Sequence, residues 1–331
     1  MRVLYRNLVL AALALTMLVV VVGAYVRLQD AGLGCPDWPG CYGQLIGVPD
    51  QAHELARAQA AFPGQPVEVH KAWKEMFHRY IAGGLGLLLV VVMVVAWAQR
   101  RTLAQSPFLA TSIVVLVGLQ ATLGMWTVTM LLKPVIVTLH LLGGMATLGL
   151  LAWLALRQGI LRGGVAHHPR LRPWAALGLL MVIAQVALGG WVSTNYAALA
   201  CPDFPRCHGV WLPDMDVRHG FQIVRELGMT AAGLPLSYES LTAIHWVHRI
   251  GALVVVVYLA FFAYALARAG GYRRLAVVLM VVVALQVALG IANVLLRLPL
   301  PIAVAHNGGA AALLLTVIVI NFALSRPRAP A

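Results

Sequence analysis

Apolar residues in this chain do not alternate with polar ones; they gather in blocks. Eight nearly uncharged runs recur, at 8–28, 79–98, 108–130, 135–156, 174–194, 241–267, 275–296 and 302–324. Each is close to the ~20 residues a helix needs to cross the hydrocarbon core of a bilayer. No water reaches the backbone there, so each run must satisfy its own N–H and C=O groups and is predicted to be a helix. The expected fold class is an all-α integral membrane protein with eight transmembrane helices. Composition agrees: of 331 residues, 61% are hydrophobic and 11% charged, against about half and about a quarter in soluble chains. The mean hydropathy is +0.85. A soluble enzyme, a disordered chain and a disulfide miniprotein are excluded.

The net charge of +13 would suggest nucleic acid if the basic residues shared a face. They lie instead in short segments between spans, so no nucleic-acid partner is expected. The N-terminus, the loops at 99–107, 157–173 and 268–274, and the C-terminus hold Arg2, Arg6, Arg100, Arg101, Arg157, Arg162, Arg170, Arg172, Arg268, Arg273, Arg274, Arg326 and Arg328, and no Asp or Glu. Two long loops, about 29–78 and 195–240, contain all eleven acidic residues. The positive-inside rule makes both termini cytoplasmic and puts both long loops on the outer, oxidising side. The first run follows Arg2 and Arg6 as a signal peptide would. It matches a later span, however, and is read as a retained helix.

That match belongs to an internal repeat. Cys35-Pro-Asp-Trp-Pro-Gly-Cys41 aligns with Cys201-Pro-Asp-Phe-Pro-Arg-Cys207, Leu119-Gln120-Ala-Thr-Leu-Gly124 with Leu285-Gln286-Val-Ala-Leu-Gly290, His140 with His306, and Gly23 with Gly189, all at an offset of 166. His78-Arg79 aligns with His248-Arg249 at 170, the extra four residues falling in the second long loop. Each half has four spans and so returns the chain to its starting side. The halves are expected to run parallel, as two four-helix bundles related by a pseudo-two-fold axis along the membrane normal. The expected domains are 1–156, a linker at 157–173, and 174–331.

The repeat tests each chemical feature twice. Of eleven histidines, His78, His140, His248 and His306 recur in register, near the outer ends of four spans. Ionisable residues inside a membrane mark function by default. Two imidazoles on separate helices at one depth suit a haem iron bound from both faces. Glycines follow each ring: Gly83 and Gly84, Gly143 and Gly144, Gly251, and Gly308 and Gly309. They let backbones approach a flat macrocycle. Arg79 and Arg249 directly follow two of the ligands and are read as partners for haem propionates. The competing reading makes these glycines and histidines helix-packing and hydrogen-bonding residues. Zinc prefers a compact cluster with local spacing. Glu75 stands at the register position of His245, so the two halves differ in chemistry. His167 and His168 are read as surface residues, and His53, His70, His208 and His219 have no assigned partner.

The four cysteines, Cys35, Cys41, Cys201 and Cys207, all lie in the outer loops. Each pair spans a short loop containing Pro and Asp. A structural disulfide is one reading; thiol–disulfide exchange is another; zinc binding by four cysteines is a third.

The whole pattern resembles the haem A synthase family. The resemblance spans nearly the entire chain and rests on Glu75-Met-Phe-His78-Arg79, His140, His245-Trp-Val-His248-Arg249, His306 and the Cys35–Cys41 loop. Many relatives lack a second cysteine pair, so the role of Cys201 and Cys207 transfers least. The resemblance implies a bacterial inner-membrane oxidoreductase that turns the C8 methyl of haem O into a formyl group, giving haem A, by two successive hydroxylations. It implies substrate haem O near Glu75, His78 and His140, with Glu75 catalytic, and a permanent haem b on His248 and His306 as electron carrier. It also implies an electron donor, and contact with a haem O synthase or terminal oxidase assembly factors. The rivals are a cytochrome b-type electron-transfer subunit, a thiol-based oxidoreductase and a transporter.

Overall fold

A computed structural model describes residues 1–160 and 168–325; Arg162, His167, Arg326 and Arg328 lie outside the described residues. Those described are helical apart from loops and isolated bridges. The helices are α1 (Arg2–Leu28), α2 (Ala52–Ala61), α3 (Val69–Ala98), α4 (Arg100–Leu103), α5 (Phe108–Thr129), α6 (Pro134–Arg157), α7 (Arg172–Thr194), α8 (Val217–Gly220), α9 (Tyr238–Arg268), α10 (Arg273–Leu295) and α11 (Leu300–Ser325). Among the described residues, eight segments are long and apolar enough to cross a membrane. The chain is thus an all-α, multi-pass membrane protein.

Six of the eight run within a few residues of the apolar runs. The exceptions are α1, which begins at Arg2, and α3, which begins at Val69, ten residues before the apolar run. Hydropathy misses the first ten residues of α3 because they are amphipathic. Ala72, Glu75 and Met76 are buried there, and Ala72 and Met76 pack with Cys35, Cys41, Tyr42 and Val48 of the first long loop. Tertiary contact extends this helix beyond the part that lipid alone would stabilise. His78 consequently lies more than two turns inside α3. In the same loop, α2 starts with a capping box: Gln51 and Glu54 satisfy each other's free backbone N–H groups.

Contacts divide the chain into two compact units, Met1–Gly144 and Met145–Ala331. The division falls inside α6. Leu148, Leu151 and Leu154 on its later half are buried, and Trp153 meets Phe322 of α11 edge-on, with centroids 5.0 Å apart. In the first unit α3 packs between α1 and α5. In the second, α7, α9, α10 and α11 pack around a ring in which α11 returns to α7.

Lipid as solvent governs which face is which. On α3, Leu85, Leu89, Val92 and Ala96 recur at helical spacing and are buried, while Leu87, Val91 and Val94 are exposed. Both faces are apolar, so packing and not polarity separates them.

The repeat is also written into the backbone. Positive φ angles occur at Asp30 and Tyr196, Tyr42 and His208, Leu131 and Arg297, and Leu132 and Leu298, each pair 166 apart. α5 ends with Leu132 N–H donating to Thr127 O at 2.9 Å, and α10 with Leu298 N–H donating to Asn293 O at 2.7 Å. These six-to-one bonds close the helix ends and turn the chain directly into α6 and α11.

The two faces of α3 yield a test. Leu89 is 2% exposed and Leu87 73%. Leu89→Ala is expected to cost about 2–5 kcal/mol, and Leu87→Ala no more than about 0.5 kcal/mol. Thermal unfolding in detergent measures both, and equal effects would refute the assignment of faces.

Candidate functional site

Each of the four recurring histidines lies against a glycine on a neighbouring helix. His78 of α3 faces Gly23 of α1, and His140 of α6 faces Gly124 of α5. His248 of α9 faces Gly189 of α7, and His306 of α11 faces Gly290 of α10. A β-carbon at Gly23, Gly124, Gly189 or Gly290 would come within 3.0, 3.4, 3.1 or 3.1 Å of the ring's Cε1. Every one of these glycines therefore makes room for an imidazole. Within each unit the two rings are brought together: His78 and His140 lie in electrostatic reach of one another, as do His248 and His306.

The Nδ1 atoms of His78, His140 and His306 are buried and make no hydrogen bond. An apolar bundle normally leaves no polar atom in that condition. Rings paired within a unit and backed by glycine, three of the four with an unpartnered Nδ1, would suit two imidazole ligands to a porphyrin iron. The fit belongs to each unit by itself.

Glu75 and His245 occupy matching positions, three residues before His78 and His248. Glu75 accepts from the Cys35 backbone N–H at 3.0 Å and pairs with Arg79 Nη2 at 2.5 Å. Both oxygens are thereby used by one carboxylate. His245 meets equivalent neighbours: Cys201 N–H lies 3.2 Å from Nδ1, and Arg249 Nε lies 3.2 Å from Nε2. A neutral imidazole has one N–H and one acceptor nitrogen. It cannot accept from both at once, so His245 replaces Glu75 in place but not in chemistry.

Arg79 and Arg249 turn toward the two long loops. Arg79 Nη1 donates to the carbonyls of Asp37, Pro39 and Gly40. Arg249 donates to those of Asp203, Arg206 and Cys201. The loops they hold are closed by disulfides, Cys35–Cys41 and Cys201–Cys207, each with Cα atoms 4.8 Å apart. Asp37 accepts from the N–H groups of Tyr42 and Gly43, and Asp203 from those of His208 and Gly209. The Gly209 and His208 N–H groups hold the Asp203 carboxyl below the usual carboxylate range. Short disulfide loops, pinned by a carboxylate within and a guanidinium beneath, thus sit on the helices that carry His78 and His248.

Sequence reasoning missed a further cationic feature. In the first unit Lys74 Nζ stands 5.7 Å over the Tyr25 ring and donates to Gln29 Oε1 at 2.7 Å. In the second, Arg225 stands 5.6 Å over the Trp191 ring and donates to Asn195 Oδ1. Tyr25 matches Trp191 and Gln29 matches Asn195 in register, but the cations come from unrelated positions. Arg225 is 3% exposed and its Nε has no partner; burial pushes its pKa down. Also missed was the contact of His219 Nδ1 with Asp216 at 2.6 Å. His168 packs edge-on against Tyr272.

The grip on the first loop predicts a difference in chemistry. Glu75→Ala removes the acceptor for Cys35 N–H and the counter-ion of Arg79. Reduction of Cys35–Cys41 by dithiothreitol, followed by alkylation and mass spectrometry, is expected to speed up about tenfold, the factor for ~1.4 kcal/mol. The rate at Cys201–Cys207 is expected to stay constant. Equal rates at Cys35–Cys41 in variant and parent would contradict the anchoring role.

With the geometry described, comparison with known proteins adds identity by likeness. Residues 6–318 match the family described as "Cytochrome oxidase assembly protein" (COX15-CtaA). A protein of Shewanella oneidensis named "Heme A synthase" is 46% identical over 314 residues, covering 94% of each chain. Proteins of the same name from Chelativorans sp. and Rhizorhabdus wittichii are each 29% identical, covering 94% and 97% of this chain and 86% and 94% of their own.

Proposed function

Because the chain belongs to the cytochrome oxidase assembly protein family, we propose that it is a haem A synthase, an oxidoreductase that converts haem O to haem A. The reaction oxidises the C8 methyl of haem O to a formyl group through two successive hydroxylations. The single observation that carries this reading is the set of four imidazoles, each fitted against a glycine of the adjacent helix.

In this reading His78 and His140 hold the substrate haem O in the first unit. His248 and His306 hold a resident haem b in the second. A bis-histidine haem supplies one-electron transfer when bound. Glu75 stands one turn from His78 and fastens to Arg79 and the Cys35 N–H. From there its carboxylate is placed to accept or orient a proton beside the substrate. His245, at the matching position of the second unit, lacks that acid. This difference supports assigning oxidation to the first unit and electron delivery to the second.

Positive charges near the outer helix ends suit the propionate carboxylates. Lys74 and Arg79 serve the first unit, and Arg225 and Arg249 the second. The two arginines of the His-Arg motifs also spend donors on the disulfide loops, so Lys74 and Arg225 share the electrostatic task. The disulfides then act as structural clamps. The protein belongs in a bacterial inner membrane, with basic termini in the cytoplasm and disulfide loops outside. It takes haem O from a haem O synthase, serves terminal oxidase assembly and draws electrons from a donor still to be identified.

The test is direct. Full-length protein is incubated with haem O, a reductant and oxygen, and products are resolved by mass spectrometry. Wild type is expected to yield the alcohol and then haem A. Glu75→Gln is expected to keep its haem content and lose about 10²-fold or more in product formation. His306→Ala is expected to lose haem b, measured by pyridine haemochrome. Haem content without any oxidation of haem O would favour a cytochrome b-type electron carrier and overturn the synthase reading.

A further inference from the structure

Three of the four site histidines share a device that the fourth lacks. Three residues after His140, His248 and His306 stands a glycine: Gly143, Gly251 and Gly309. On the neighbouring helix a glutamine lays its amide against that glycine. Gln120 meets Gly143, Gln185 meets Gly251, and Gln286 meets Gly309. A methyl group at Gly251 would lie 2.5 Å from Gln185 Oε1, so the amide would have to move to admit it.

The amide also grips the histidine's own turn. Gln185 Nε2 donates to the His248 carbonyl at 2.9 Å and lies 3.0 Å from His248 Nδ1. Gln286 Nε2 donates to the His306 carbonyl at 3.0 Å and lies 3.5 Å from His306 Nε2, the opposite nitrogen to the one Gln185 meets at His248. At His78 the register positions are Val19 and Ile81. Both members of the pair have changed together, an amide with its glycine being exchanged for two branched apolar residues. The Nδ1 of His78 is buried without a partner.

A ligand imidazole keeps its plane and tautomer through the bond made by its other nitrogen. Gln185 is the side chain that makes this bond at His248. Its Oε1 is buried with no partner; with the proton on Nδ1 the amide must turn so that Oε1 accepts from that ring, Nε2 then leaving the His248 carbonyl. His140 and His306 share the orphaned Nδ1, and the amide packed on the following glycine is what separates them from His78.

We propose that Val19 and Ile81 make His78 the displaceable ligand of the first unit, whereas Gln185 and Gly251 make His248 a fixed one. The proposal rests on the haem reading above and deepens it. With an iron porphyrin bound, His78 would be the imidazole able to leave the metal to an incoming diatomic molecule, and His248 would not. Gln185 is thus a positioning residue: it touches the ligand, not the reacting atoms.

Carbon monoxide tests the idea without turnover. Full-length protein in detergent is loaded with protohaem, reduced with dithionite and titrated with carbon monoxide in the Soret region, with haem per chain from pyridine haemochrome. Wild type is expected to bind carbon monoxide at one of its two haems. The double variant Val19→Gln, Ile81→Gly transplants the amide and is expected to weaken that binding about tenfold, roughly what one net hydrogen bond is worth. Gln185→Val is expected to open the second haem to carbon monoxide, and Gln185→Glu, which retains an acceptor, to keep it closed. His78→Ala is expected to retain haem on His140 and bind carbon monoxide at least as tightly as wild type.

Unchanged affinity in the transplant together with a closed second haem in Gln185→Val overturns the proposal. So does loss of carbon monoxide binding in His78→Ala with haem retained. Should the transplant fail to fold, Gln185→Val and His78→Ala decide. A wild-type protein that takes up no haem overturns the haem reading itself, and this proposal with it. Two haems that behave alike in every variant overturn this proposal alone.

Discussion

An imidazole buried among apolar helices needs space that a close-packed bundle does not ordinarily leave. Here a glycine on the facing helix gives up its side chain to each of four rings. That contact fixes how near α1 comes to α3, α5 to α6, α7 to α9 and α10 to α11. It also fixes the ring against a rigid backbone and not against a mobile side chain. Each unit holds two such rings. The N-terminal parts of α3 and α9 carry a carboxylate or imidazole, an arginine and a clamped loop.

On this common frame the two units diverge in chemistry. The first has an acid at Glu75, which accepts from two donors at once. The second has His245, which cannot. At corresponding register positions the first has Val19 and Ile81, and the second Gln185 and Gly251. The differences lie in side chains alone: the second unit adds an amide contact at His248, and the first a carboxylate three residues before His78. A duplicated scaffold thereby carries two unlike sets of polar groups while the glycine–imidazole contacts are kept.

The spans were legible because lipid imposes long apolar runs that no other fold requires, and the four histidines because they recur in register. The cysteine pairing followed from loop length and compartment, and the geometry closes both pairs. The start of α3 was not legible, since residues 69–78 are held helical by Cys35, Cys41 and Tyr42 across the loop and not by their own hydropathy. The direction of Arg79 and Arg249 was equally hidden. A guanidinium one residue after a ligand can turn to a bound carboxylate or to loop carbonyls, and only coordinates reveal the loop contacts. Gln120 and Gln286 were visible as matching letters, but their part depended on seeing which glycine each amide covers.

The cation over the aromatic ring at the ends of α1 and α7 makes the same point from the opposite side. Tyr25 with Gln29, and Trp191 with Asn195, keep their register, yet the charge above them comes from α3 in one unit and from a loop after α8 in the other. Aligning the halves cannot find it, because Lys74 matches an isoleucine and Arg225 has no counterpart of its own type. Burying Arg225 with an unpaired Nε is unfavourable in isolation. Cation–π contact and the bond to Asn195 recover part of that cost. Two unrelated stretches of chain thus deliver a positive charge to equivalent places, over Tyr25 in one unit and over Trp191 in the other.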